Sequence, residues 1–232
     1  MLVLRLPFQD RAEAGSLLGA ELASRKFTTD TIVLALPRGG VPVGAKIAAT
    51  LQAPLDIVLV RKVGVPWQPE LAMGAIAGDT HVLDLQLIRE LDICDAEVRA
   101  VVAREYHELK RREKLYRSGL PPLDPEGRTV VLVDDGLATG STMVAAARHV
   151  RSLHPRRLII AVPVASSQAC SRLRGEADEC ICLAVPEPFS AVGEWYVDFR
   201  QVTDAEVQDT LTDSQSGPAP GRNTPRHSLS GS

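Results

Sequence analysis

Residues 129–142 of this chain are Thr129-Val130-Val131-Leu132-Val133-Asp134-Asp135-Gly136-Leu137-Ala138-Thr139-Gly140-Ser141-Thr142. The aliphatic and β-branched residues at the start predict a buried parallel strand, and the glycines and hydroxyl residues after them predict a tight turn into a helix. In open parallel sheets, ligands bind beyond the carboxyl ends of the strands, and a helix N-terminus offers free N–H groups to an anion. The stretch therefore predicts a phosphate site.

Two adjacent carboxylates, Asp134 and Asp135, precede this turn, where they suit the hydroxyls of a sugar whose phosphate lies in the turn. A Walker loop would need a lysine before its last Ser or Thr, and a dinucleotide loop would need G-x-G-x-x-G; neither pattern is present. The stretch resembles the phosphoribosyl-diphosphate (PRPP) binding motif of type I phosphoribosyltransferases: an aliphatic strand, two acids and a loop ending Thr-Gly-Ser-Thr. A buried strand before an ordinary capped helix is the alternative without a ligand.

A second turn of this kind follows the strand predicted over residues 31–36. In Pro37-Arg38-Gly39-Gly40 the glycines let the backbone approach a ligand closely, and Arg38 offers a fork of donors to phosphate oxygens. Taken alone, it would equally fit a plain surface turn. These residues resemble the family's pyrophosphate loop, which often contains a non-proline cis peptide.

Two cations, Arg61 and Lys62, follow the strand predicted over residues 57–60. At the carboxyl end of a third strand they would face the same pocket as Arg38, although such a pair is more often a solvated surface feature. Arg-Lys-x-Gly resembles the same segment of adenine-type phosphoribosyltransferases. The resemblance implies catalytic roles for Arg38, Lys62 and Asp135.

Between residues 65 and 80 the strand pattern breaks, and prolines, glycine and Trp67 mix in a way typical of a lid that excludes water. Trp67 would serve equally well as a core anchor or an oligomer contact. The resemblance places the family's mobile catalytic loop near here. Hypoxanthine-type enzymes carry an acidic base where this chain has Ala138, and Glu70 is a candidate substitute.

Aliphatic strands alternate with helical patterns, which predicts an α/β doubly wound fold with a central five-stranded parallel sheet flanked by helices. The resemblance suggests the strand order 3-2-1-4-5. A short strand is predicted at residues 81–83, and helices are predicted over residues 10–27, 95–117, 141–153 and 168–173.

Aromatic residues are scarce, at 4% of the chain, yet they collect between residues 186 and 199. Phe189, Trp195 and Tyr196 are candidates for stacking on a planar acceptor, although aromatic clusters more often cap a core. The family binds its acceptor in a small hood beside the sheet. The resemblance therefore implies a domain over 1–212 with a hood at about 1–10 and 186–210, and the Ser- and Pro-rich residues 213–232 predict a disordered tail.

At 232 residues, with net charge −3 and a pI near 6.0, the chain suits one core and makes nucleic-acid binding unlikely. The four cysteines form no C-x-x-C pair, which argues against zinc. No apolar run approaches the length of a membrane span and no signal peptide is recognised, so a cytoplasmic protein is expected, with no membrane partner. A homo-oligomer remains open.

The implied reaction transfers a 5-phosphoribosyl group from PRPP to a nitrogenous base or similar acceptor and releases pyrophosphate. Mg²⁺ is the implied cofactor, held by Asp134 and Asp135 through water. Two other functions stay open: a PRPP-binding regulatory protein without transferase activity, and a phosphosugar hydrolase or phosphorylase. The resemblance implies that PRPP is bound by Arg38, Gly39, Gly40, Arg61, Lys62, Asp134, Asp135, Gly136, Leu137, Ala138, Thr139, Gly140, Ser141 and Thr142.

Overall fold

A computed structural model describes residues 4–25 and 30–216. The helices are α1 (Arg11–Ala23), α2 (Gly40–Leu51), α3 (Leu85–Glu90), α4 (Asp95–Arg117), α5 (Ser141–Ser152), α6 (Ser167–Arg172) and α7 (Asp204–Ser216). The strands are β1 (Ile32–Ala35), β2 (Leu55–Ile57), β3 (Val60–Val65), β4 (Gln68–Ala77), β5 (Thr80–Leu83), β6 (Thr129–Val133), β7 (Arg157–Val164) and β8 (Glu179–Ala184).

Five parallel strands form the central sheet in the order β2-β1-β6-β7-β8. The predicted five-stranded parallel sheet is confirmed. The expected strand order is wrong, because counting these strands along the chain gives 2-1-3-4-5. From β1 the chain moves outward to β2, and from β6 it moves the other way to β7 and β8. The strand order therefore reverses between β1 and β6, where open α/β sheets bind their ligands.

The two faces of this sheet are covered by different helices, because successive side chains of a strand point to opposite sides. On one face, buried residues of α1, α2 and α7 pack on Val33, Ala35, Val131 and Val133. On the other, buried residues of α5 and α6 pack on Ile32, Leu34, Val130 and Leu132. The uncharged strands found in the sequence are thus explained by burial on both faces.

Residues 60–83 form a separate three-stranded antiparallel sheet, in the order β3-β4-β5. The strand predicted over residues 57–60 is therefore divided: the parallel strand ends at Ile57, and Val60 begins the antiparallel one. The stretch predicted as an irregular lid is largely regular, since Val65 pairs with Gln68 across a turn formed by Pro66 and Trp67. Trp67 is 58% exposed at the tip of this hairpin.

Helix α4 joins the two sheets. The buried Val98, Val101 and Leu109 pack on the antiparallel sheet. At the other end of the helix, Arg117 lies 2.5 Å from the carboxylate of Asp56, which is buried on the edge strand β2. The Asp56 carboxylate also accepts a hydrogen bond from the Leu123 backbone at 2.8 Å, so that the segment leading to β6 is fixed at the same point.

The last helix, α7, packs against the sheet. Val207 and Leu211 of α7 are buried in the core, and the helix extends to Ser216, into the segment predicted to be disordered from residue 213. The rest of that tail, and the predicted end of the first helix at residues 26 and 27, lie outside the described residues. Across 4–25 and 30–216, no helix combines the length and apolar character needed to cross a membrane.

The two segments predicted to form a hood contact each other. The Phe8 backbone N–H donates to the Trp195 carbonyl at 2.8 Å, and the Val197 N–H donates to the Phe8 carbonyl at 2.8 Å. The rings of Phe8 and Tyr196 pack with centroids 5.5 Å apart. This pairing places the aromatic segment next to the carboxyl end of β6.

Candidate active site

The loops after β1 and β6 meet at one point. The last residues of the two strands, Ala35 and Val133, pair with each other. A Cβ on Gly39 would lie 2.0 Å from Oδ2 of Asp135. A Cβ on Gly40 would lie 2.8 Å from the Val133 carbonyl oxygen. Only glycine allows so close an approach at these two positions. The two loops selected in the sequence thus form a single site, and the peptide between Pro37 and Arg38 is cis.

Two carboxyl groups occupy the centre of this site. Asp134 Oδ1 accepts a hydrogen bond from the Asp135 backbone N–H at 2.9 Å. Burial raises the pKa of Asp134 well above its ordinary value, and the neighbouring Asp135 raises it further. Burial also raises the pKa of Asp135, against the opposing effect of Arg11. The pair favours a ligand that brings hydroxyl donors or a cation, and its oxygen donors fit the preference of Mg²⁺.

Arg11 is a site residue that the sequence did not reveal. Its Nε donates to Oδ2 of Asp135 at 2.7 Å, its NH1 donates to the Arg200 carbonyl at 2.8 Å, and its guanidinium lies 3.9 Å from the Phe199 ring centroid. The side chain is 10% exposed. One signal was present: a cation in the first turn of a helix opposes the helix dipole, so it needs a reason outside the helix.

We expect Arg11→Met to lower the thermal midpoint by about 5–10 °C, because breaking a buried ion pair leaves one charge unpaired. Calorimetry or circular dichroism would measure the shift. The matched control is Arg148→Met, which breaks the more exposed pair with Glu176 and should cost little. Equal shifts in the two variants would show that Arg11 does not anchor Asp135.

Tyr196, one of the aromatic residues proposed for stacking, lies in the core. It is 5% exposed, and its hydroxyl donates to the Asp135 carbonyl at 2.5 Å. Burial raises the pKa of this hydroxyl far above its ordinary value, so Tyr196 stays a neutral donor. Its position supports the backbone of Asp135. Phe189 and Trp195 pack on each other with ring centroids 6.2 Å apart.

The predicted phosphate loop links β6 to α5 and is held from the neighbouring strand. The Leu137 N–H donates to the Val164 carbonyl at 3.0 Å, and the Ser166 hydroxyl donates to the Ala138 carbonyl at 2.5 Å. Gly140 adopts a φ of 75° directly before α5, a value that favours glycine. The first N–H groups of α5 have no acceptor inside the helix, so the loop can offer them to an anion.

Arg172, on α6, is a second residue that the sequence did not reveal. Its guanidinium donates to the hydroxyl of Ser141 at the start of α5. The Thr139 hydroxyl lies 3.4 Å from the same oxygen. A cation therefore lies at the predicted phosphate loop. Because Arg172 is distant from this loop along the chain, the contact could not be predicted from the sequence.

The predicted pyrophosphate cations take up different positions. Arg38 lies 3.4 Å from the carboxylate of Asp204 on α7. Arg61 lies on β3 and pairs with Glu105 of α4 at 2.7 Å. Lys62, next on the same strand, lies 3.5 Å from Glu70, whose side chain is 98% exposed. Arg61, Lys62 and Glu70 thus make their contacts within the antiparallel sheet and with α4, whereas Gly39 and Gly40 lie beside the Asp pair.

A cleft of about 480 Å³ opens beside the phosphate loop. Its size falls within the range of small-molecule sites. It lies between the phosphate loop, the start of α6 and the segment after β8. The lining residues are Ala138, Thr139, Ser166, Ser167, Gln168, Glu187, Pro188, Phe189 and Ser190.

Comparison with known proteins adds three findings. The family model of the phosphoribosyl transferase domain matches residues 12–199. The Mycobacterium tuberculosis proteins named "Putative phosphoribosyl transferase" from strains CDC 1551 and H37Rv are 44% identical over 201 residues, which is 86% of this chain and 45% of theirs. The chain thus spans about half the length of these curated relatives. The crystal structure of TT1426 from Thermus thermophilus is 44% identical, with a TM-score of 0.78, over 90% of this chain and 99% of that one.

Proposed function

This chain belongs to the phosphoribosyl transferase family, and from this premise we propose that it transfers the 5-phosphoribosyl group of PRPP to a nitrogenous base or similar small acceptor, releasing pyrophosphate. One observation carries the proposal. The two carboxyl groups that end β6 and the paired glycines that follow β1 lie in contact at the point where the strand order reverses. Such a junction suits a ligand with a sugar between two phosphate groups.

The 5-phosphate would bind to the loop of residues 138–142. Its backbone N–H groups at the start of α5 supply donors, the hydroxyls of Thr139, Ser141 and Thr142 add more, and Arg172 adds a positive charge beside them. The ribose hydroxyls would donate to Asp134 and Asp135. This arrangement offers the buried carboxyl groups the hydroxyl donors that they need.

The pyrophosphate group would lie against the backbone of the loop that contains Gly39 and Gly40, beside the Asp135 carboxylate that Gly39 leaves room for. Arg38 would exchange its long contact with Asp204 for the phosphate oxygens, because a guanidinium binds a phosphate in a fixed, bidentate geometry. Arg61 and Lys62 would join only if they left Glu105 and Glu70. We therefore assign Arg38 the leading part in stabilising the charge on the leaving group.

Mg²⁺ fits the donor set of the Asp pair, which would hold it through water molecules. When bound, the ion would neutralise charge that develops on the leaving pyrophosphate. The chain's own contribution is to fix the carboxyl groups: Arg11 holds Asp135 from one side, and the Tyr196 hydroxyl holds its backbone from another. Preorganised groups of this kind need no rearrangement during the reaction.

The acceptor would enter the cleft beside Ala138, with Phe189 as a stacking surface and Trp195 packed behind it. The hairpin that carries Trp67 and Glu70 at its tip is the part of the chain that could close over the sugar. Glu70 is proposed as the base for the acceptor only in such a closed form, since its side chain now faces solvent.

The test is to measure PRPP binding and transfer separately. With Mg²⁺, PRPP should raise the thermal midpoint, and a panel of nitrogenous bases should yield pyrophosphate with at least one member. Ribose 5-phosphate serves as the control ligand that lacks the pyrophosphate group. Stabilisation by PRPP without pyrophosphate from any base would favour the regulatory protein, and no stabilisation would overturn the proposal.

A further inference from the structure

The charge that lines the cleft beside the phosphate loop is negative. Among its lining residues, all of them within the described part of the chain, Glu187 is the one that bears a charge. Its neighbours Gln168, Phe189 and Ser190 are neutral. Arg172, the cation of the phosphate loop, is directed to Ser141 and does not line the cleft.

Two hydroxyl groups of the cleft, those of Ser166 and Ser167, are committed as donors within the protein. Ser166 donates its hydrogen to the Ala138 carbonyl and accepts from the Ala169 N–H at 3.0 Å. Ser167 donates to Oε1 of Glu187. The Thr139 hydroxyl is directed to Ser141 at 3.4 Å. Since a hydroxyl has a single hydrogen, Ser166 and Ser167 can offer a ligand only their lone pairs.

The carboxylate of Glu187 adds a further hydrogen-bond acceptor to the cleft. The hydrogen bond from Ser167 fixes one of its oxygens and leaves the second oxygen as an acceptor. Glu187 is followed by Pro188 and by the Phe189 ring, which also lines the cleft. A flat acceptor stacked on that ring would therefore lie close to a carboxylate, and a ligand with N–H groups would complement it.

We infer that Glu187 selects the acceptor: the cleft takes a neutral or cationic heteroaromatic amine or amide that donates N–H groups, and it discriminates against acceptors that carry a carboxylate. This inference rests on the proposed function and narrows its acceptor class. The physical reason is that a carboxylate next to Glu187 meets like charge, and an interface rejects partners by this kind of repulsion.

Nicotinamide and nicotinate are suitable probes, because they share a ring and differ by an amide against a carboxylate. Their binding would be measured by calorimetry with Mg²⁺ and pyrophosphate present, so that no transfer takes place. Wild-type protein should bind nicotinamide about twofold to fivefold more tightly, because Glu187 is exposed to solvent. Adenine and hypoxanthine, which are both neutral and donate N–H groups, should likewise bind more tightly than nicotinate.

Charge variants at Glu187 make the assignment specific. Glu187→Gln should bring the nicotinamide-to-nicotinate ratio close to one, and Glu187→Lys should invert it. The matched control is Glu194→Lys, which makes the same change on an exposed residue of the aromatic segment outside the cleft and should leave the ratio unchanged. Because both glutamates are exposed, the variants should keep the wild-type thermal midpoint.

The inference is overturned if wild-type protein binds nicotinate as tightly as nicotinamide, if it binds none of the four probes, or if the control shifts the ratio as Glu187→Lys does. These outcomes are independent of stabilisation by PRPP, which reports on the phosphate and sugar sites. Protein that PRPP stabilises but that shows no preference between the probes would retain the proposed function and lose this inference. Protein that PRPP does not stabilise would lose the proposed function itself.

Discussion

Replacing Asp134 and Asp135 together by Asn is expected to abolish Mg²⁺-dependent PRPP binding, with an affinity loss of more than about 100-fold. Each carboxylate would lose a charge-assisted hydrogen bond to a ribose hydroxyl or to Mg²⁺-bound water, and such bonds are worth about 1.5–3 kcal/mol each. The fold should persist. Neutral amides of the same shape remove the cost of burying two adjacent carboxylates, but they also leave the buried Arg11 without its ion pair, so the variant should fold with a lower thermal midpoint.

Calorimetry with PRPP and Mg²⁺ would measure the affinity, and circular dichroism would establish that the variant is folded. Asp56→Asn is the contrasting variant, because Asp56 is also a buried carboxylate on a strand of the same sheet but pairs with Arg117. It should lower the thermal midpoint and leave PRPP binding intact. An unchanged PRPP affinity in the folded double variant would remove the ribose and Mg²⁺ roles from the Asp pair.

The parallel sheet could be predicted from sequence because strands that are buried on both faces consist largely of uncharged, β-branched residues. Thr129–Val133 carries no charged residue, and the pattern of the turn that follows it has few other structural explanations. The glycines at positions 39 and 40 were equally informative, since a pair of glycines after a buried strand indicates a close backbone approach. What they approach, the carboxyl groups of residues 134 and 135, became visible only in the fold.

The second sheet could not be separated from the first in the same way. Residues 57–60 form one unbroken apolar run, Ile-Val-Leu-Val, because both the end of the parallel strand and the start of the antiparallel strand lie near apolar layers. The composition of a segment indicates that it is buried, but it does not indicate which sheet the segment belongs to. Arg61 and Lys62 were predicted to follow one parallel strand over residues 57–60. In the structure they lie on β3 of the antiparallel sheet instead.

Arg11 and Tyr196 escaped prediction because their contacts with Asp135 join distant parts of the chain. The place of Arg11 in a first helical turn indicated an interaction outside the helix but not its partner, and a tyrosine among other aromatic residues fits an ordinary core position. Their role depends on α1 and the aromatic segment meeting at the end of β6, where Arg11 contacts the carboxylate and Tyr196 the carbonyl of one residue. No periodicity carries that information.

Replacing Gly140 by Val is expected to eliminate stabilisation by PRPP. The residue has a φ of 75°, which a β-branched side chain rarely adopts, and a Cβ would stand 3.4 Å from the Cα of Ala169 on α6. Because a β-branched residue disfavours this φ, the loop would have to move, and its N–H groups would no longer converge on a phosphate. At PRPP concentrations 100 times Kd, wild-type protein should gain about 2.7 kcal/mol of stability.

Gly175→Val separates this effect from backbone strain. Gly175 has a φ of 84°, and no atom lies within 4 Å of the place that a Cβ would take, so the substitution carries a similar conformational cost of about 1–2 kcal/mol away from the site. Both variants should melt below wild type without ligand, but only Gly175→Val should regain stability when PRPP and Mg²⁺ are added. If the Gly140 variant gains as much as the Gly175 variant, the phosphate binds elsewhere, and the loop after β6 is a helix start without a ligand.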